Sequence, residues 1–124
     1  MNANMEKQIT QTRFRVSELQ KRIAVLEHTR EDLERQIRKL TDSVPEDTVD
    51  ESLQKDGYVA YGSYAKSVIA RKANLRRSLQ DIVDQTADLA GDLRIATDAL
   101  DSFERIRARE AAAKAERAMQ RRAG

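Results

Sequence analysis

This chain has no cysteine, no tryptophan, one proline and one histidine among its 124 residues. Without cysteine there is no disulfide framework and no thiolate metal site. Aromatic residues make up only 4% of the chain, too few for a thick globular core. The opening stretch MNANMEKQIT carries no apolar run, so no signal peptide is expected. No apolar run reaches the ~18 residues that a membrane span needs, so none is expected either. These absences predict one soluble, cytoplasmic domain.

What the chain does have is charge, 35% of its residues, and two heptad repeats. In the first half, position a holds Ile9, Val16, Ile23, Arg30 and Ile37. Position d holds Met5, Thr12, Leu19, Leu26, Leu33 and Leu40. Only Thr12 and Arg30 break the apolar pattern. In the second half, d holds Tyr61, Val68, Leu75, Ile82, Leu89, Ala96 and Phe103. Position a holds Ala65, Lys72, Leu79, Thr86, Leu93 and Leu100, with Lys72 and Thr86 as the exceptions. A seam this narrow covers one partner helix and little else. The fold predicted is all-α, an antiparallel two-helix coiled-coil hairpin with a longer second helix. Such a rod works by reach and contact and encloses no substrate.

Helix one is expected over about residues 4–42 and helix two over about 63–121, joined by an acidic bend at about 43–62. Pro45 cannot donate the hydrogen bond that continuation of helix one needs. Ser43 and Glu46 have the spacing of a capping box for a short helical turn, with Val44, Val49 and Leu53 as its apolar face and Gly57 as its stop. Ser63 is the expected N-cap of helix two. Gly91 falls at an outward position and costs about 1 kcal/mol relative to Ala without kinking the helix. A middle this short makes the helices antiparallel neighbours. Of the registers that set a against d, the one with paired numbers summing to 105 suits the bend. It places Leu40 against Ala65, Ile37 against Val68, Leu26 against Leu79, Ile23 against Ile82 and Met5 against Leu100. Helix one then runs out near Phe103, leaving roughly 20 residues of helix two overhanging, or about 30 Å.

The net charge of +2 is unevenly spread. Five acids and one lysine lie between Glu46 and Asp56, and seven bases against two acids between Arg105 and Arg122. A basic end attracts acidic partners. The tail is Ala-rich, hence strongly helix-forming, but has no apolar seam. Basic-zipper proteins place their basic region before a parallel zipper, whereas this one follows the seam of a folded-back chain, so nucleic-acid binding is not expected.

Several signals have plain readings. Gly57 and Gly62 are spaced as in a phosphate loop, but Ser63 stands where that loop needs lysine, and no strand precedes it. His28, at an outward position, has no second histidine or cysteine to build a metal or catalytic site with. Arg30 and Lys72 are expected to pack their stems in the seam and snorkel their charges outward, fixing register against slipped pairings. Tyr58, Tyr61 and Tyr64 cluster at the start of helix two. Tyr64, Val68, Arg71 and Leu75 follow at steps of four, three and four, either plugging the open end or forming an aromatic-aliphatic contact patch. Phe14 is the other outward aromatic.

The segment DGYVAYGSYAKSVIARKANLRRSL, Asp56 to Leu79, resembles the central motif of the FliJ family, the small coiled-coil component of the flagellar type III export apparatus. The likeness is to the alphaproteobacterial branch and rests on Ala60, Tyr61, Tyr64, Ala65, Lys66, Arg71 and Lys72. Length, the two-helix layout and the basic Ala-rich end agree over the rest. The resemblance implies an antiparallel coiled coil similar to the stalk of rotary ATPases, with no enzymatic activity and no cofactor. It implies contact of the paired ends with the hexameric export ATPase, for which Phe14, Arg107, Arg109, Lys114 and Arg117 are the candidates. It implies contact of Tyr64, Val68, Arg71 and Leu75 with the export-gate membrane protein, at the cytoplasmic face of the inner membrane. Export chaperones are further candidate partners, and no direct membrane insertion is expected. Arg71 and Leu75 depart from the enteric pattern, which has a small residue and a histidine there. The alternatives are a generic coiled-coil adaptor, a secretion chaperone or injectisome counterpart, and, behind these, a basic nucleic-acid binder.

Overall fold

Both seams are sorted from solvent in the computed structural model: every described residue at their a and d positions is buried or half-buried. The structure describes residues 3–44 and 59–124, apart from the side chains of Val59, Ala60 and Tyr61. The protein is all-α, an antiparallel hairpin of α1 (Ala3–Ser43, 41 residues) and the longer α2 (Val59–Ala123, 65 residues). Only one face of each helix meets the other, so few side chains are wholly covered. Among the described residues, Ile9, Leu19, Val44, Ala65, Val68 and Ala96 are the buried apolar ones.

The helices persist because nothing interrupts them. α1 opens with Glu6 in its first turn, where a carboxylate meets the positive end of the helix dipole. Thr12 and Thr86, the polar seam residues, donate their hydroxyls to Gln8 O at 2.7 Å and Ile82 O at 2.8 Å. Their polarity is thereby satisfied within their own helices. At its end, α1 turns its polar groups back on itself. Ser43 Oγ donates to Leu40 O at 2.9 Å, and Val44 N–H donates to the same oxygen at 3.1 Å. The hydroxyl expected to cap a following turn thus closes α1 instead. The short turn itself, with Pro45, Glu46, Val49, Leu53 and Gly57, lies outside the described residues, as do Tyr58 and most of the acidic bend.

α2 begins at Val59, ahead of Ser63, so Ser63 is an interior residue and not an N-cap. Gly62 is buried in this first stretch. The helix runs through it despite the penalty of about 1 kcal/mol that glycine carries relative to Ala. Gly91 is passed without a break, and a Cβ built on it meets nothing within 4 Å. At the far end Arg121 and Arg122 lie in the last turn, where cations suit the dipole.

The chain divides into two units. One contains Met1–Ile23 with Asp88–Gly124. Here two ion pairs join α1 to α2: Arg13 Nη2 to Glu104 Oε1 at 3.1 Å, and Arg107 Nη1 to Glu6 Oε2 at 3.2 Å. Thr12 shares an open groove with Ala96 and Ala99. These contacts correct the expected register. Under the sum-105 pairing, Arg13 would stand about 18 Å along the axis from Glu104, beyond what the two side chains bridge. Sliding by one heptad brings them within about 8 Å along the axis and places Val16 level with Ala96 and Ile9 level with Phe103. α1 therefore reaches further along α2 than expected, and the unpartnered end starts near residue 110 rather than near Phe103.

The other unit is Ala24–Ala87. Its core is Val44, Ala65 and Val68, with Leu40 and Ile69 packed against them. Val44 joining Val68 fits the same one-heptad correction. The two charged seam residues, both in this unit, diverge. Arg30 is half-buried and is drawn outward by acids of its own helix. Its Nε and Nη2 donate to Glu27 Oε2 at 3.1 and 2.8 Å, and its Nη1 donates to Glu34 Oε1 at 2.6 Å. The Glu27 hydrogen bond, followed by the charges of Glu27 and Glu34, raises the Arg30 guanidinium pKa above its ordinary value. Lys72 is 0% exposed, so it does not snorkel, contrary to expectation. It follows Ala65 and Val68 along the seam, and both of these are covered as well.

Candidate partner-binding surfaces

In the unit Ala24–Ala87, the heptad puts Tyr64 and Arg71 at position g, beside the seam. Tyr64 is 54% exposed, an uncommon state for a large aromatic, and Arg71 is exposed one heptad on. Between them in sequence, Ala65 and Val68 turn inward; Val68 is 5% exposed and belongs to the core. Leu75 is half-buried. Of the four residues expected to meet the export gate, two stand free on the surface, one edges it and one supports it from beneath. A phenol and a guanidinium on one side of a continuous helix, about 10 Å apart along its axis, are residue types enriched among the anchors of binding interfaces. Lys66 and Arg77 are exposed as well, but on the opposite side of the helix.

The other surface lies in the unit Met1–Ile23 with Asp88–Gly124. Phe14 on α1 is 66% exposed. Arg109, Lys114 and Arg117 are exposed on α2. Arg107 differs from the other expected ATPase contacts, because it is half-buried and engaged by Glu6. Sequence reasoning missed that pairing because the register it used ended α1 too early. The missed signal was the set of opposite charges at e and a positions, Glu6 with Arg107 and Arg13 with Glu104, which the expected register does not bring together.

His28 is exposed and lies 4.0 Å from Glu31. Among the described residues no group of three or more His, Cys, Asp or Glu side chains could hold a metal ion. No helix among them is long and apolar enough to cross a membrane. Comparison with protein-family models, with curated proteins and with solved structures finds no match for this chain. Its surfaces therefore stand on their own chemistry: an aromatic-basic patch at the start of α2 and a basic helical end that outlasts its partner helix.

Proposed function

We propose that the chain is a non-enzymatic stalk or adaptor of a flagellar type III export apparatus, bridging the hexameric export ATPase and the export gate at the cytoplasmic face of the inner membrane. The observation that supports this best is the presentation of Tyr64 and Arg71 on a closed core, within the segment that resembles the FliJ family motif. Any nucleotide chemistry belongs to the partner. The mechanism is mechanical and allosteric: the basic end of α2 engages the ring and biases its assembly or conformation, while the patch at the start of α2 docks on the gate. Export chaperones are further candidate cargo-side partners.

Two variants separate the two roles. Removing residues 111–124 leaves every seam position through Arg107 in place. It is expected to preserve the melting temperature while lowering binding to, and stimulation of, the ATPase. Tyr64→Ala removes an exposed ring and is expected to weaken gate binding and spare the ATPase. Full stimulation by the truncated chain, with loss of stimulation in Tyr64→Ala, would show that the two ends have been assigned the wrong way round.

A further inference from the structure

Past the end of α1, the seam line of α2 does not stop; it changes chemistry. Leu100 and Phe103 are its last apolar members. The same line continues through Arg107, Glu110, Lys114, Arg117 and Arg121, alternating steps of three and four. Arg107 is taken by Glu6 of α1. Lys114, Arg117 and Arg121 are exposed, and Glu110 is the one acid among them. α2 stays helical through Ala123, so the line is a preformed stripe about 10 Å long from Lys114 to Arg121. We infer that this stripe is the seat of an acidic helix of a partner protein, lying where α1 would lie if it were longer and pairing carboxylates at heptad spacing with Lys114, Arg117 and Arg121.

Two observations favour that occupant. The stripe is continuous with an interface that already holds a helix, and that interface closes at its edge with carboxylate-guanidinium pairs, Glu6 with Arg107 and Arg13 with Glu104. A partner helix bearing Glu or Asp at steps of three and four repeats the same pairing one turn further on. A nucleic acid would respond to the sum of charge on this end rather than to one line of it. The inference deepens the proposed function, on which it rests for the identity of the partner as the export ATPase.

The test uses the full chain and two double charge reversals of equal size: Lys114→Glu with Arg117→Glu on the line, and Arg105→Glu with Arg122→Glu off it. Circular dichroism establishes that each stays helical. The probes are an Ala-rich helical peptide with Glu at alternating steps of three and four, a scrambled version of it, the export ATPase, and a duplex DNA. The chain is expected to bind the patterned peptide and not the scrambled one. The on-line double should lose about tenfold or more in affinity, since attraction is replaced by repulsion at two pairs, and the off-line double should change it about twofold or less. The same ranking with the ATPase supports both readings. That ranking with the peptide but no binding to the ATPase keeps the stripe and removes the ATPase as its partner. An ATPase that binds the on-line double as tightly as the native chain overturns the stripe and leaves the proposed function standing. Binding to DNA alone, weakened equally by both doubles, overturns it in favour of a nucleic acid.

Discussion

At the scale of single residues, the thinness of the core sets how much each contact matters. Leu19 is 1% exposed in a hairpin with few fully covered side chains. Truncating a buried leucine typically costs about 2–5 kcal/mol, whereas exposed positions stay within about 0.5. Leu19→Ala should therefore lower the melting temperature by many degrees and His28→Ala hardly at all; equal shifts would mean that the seam does not carry the fold. Gly91→Ala should act in the opposite sense. The added methyl meets open space, and the helix gains about 1 kcal/mol of propensity, so thermal melting should move upward.

At the scale of elements, period and register were unequally legible. The a and d positions were readable because a buried face must recur every three or four residues, and each such residue that the structure describes is covered. Register was not, because sliding one helix by seven residues returns a to d and leaves the apolar pattern unchanged. In the sequence, the charges of Glu6 with Arg107 and Arg13 with Glu104 speak against the expected choice, but such pairs are individually weak when exposed. The beginning of α2 was misread for a different reason: Gly62 and Ser63 are local boundary signals, and the helix runs through both. Lys72 was misread because snorkelling assumes an open flank. Cysteine crosslinking checks the corrected register directly. Leu33→Cys with Leu79→Cys should close within one chain under mild oxidation, and Leu26→Cys with Leu79→Cys should not. The reverse outcome would restore the pairing first expected from the bend.

At the scale of the whole molecule, the pointers to a function lie in chemistry that the fold leaves unspent. The seams say how the chain folds and nothing about what it serves. Tyr64 and Arg71 stand out because the seam residues that follow them, Ala65 and Lys72, are covered and they are not. The basic end stands out because its helix continues after its partner helix has ended. The candidate site was thus half visible in the sequence. Residue types and spacing gave Tyr64, Arg71, Lys114 and Arg117, while the engagement of Arg107 depended on a register that spacing alone does not select. Cosedimentation with the ATPase, set against salt-dependent retention of DNA, weighs the adaptor reading against a charge-driven one, since release of counterions makes the latter fall steeply with salt.

The unaccompanied end of α2 also has a signature in time. From about residue 110 to Ala123 the backbone hydrogen bonds are those of a single helix with water on nearly every side, so each opens for little free energy, whereas those flanking Ile9, Leu19 and Ala96 open only with the core. Amide deuterium uptake should accordingly be rapid over the last dozen or so residues and slow from about Asp88 to Phe103, within one continuous helix. Because the end is already helical, a partner that seats on it has less chain entropy to overcome. Its arrival should register as slowed exchange confined to those last turns, without any change in the amount of helix.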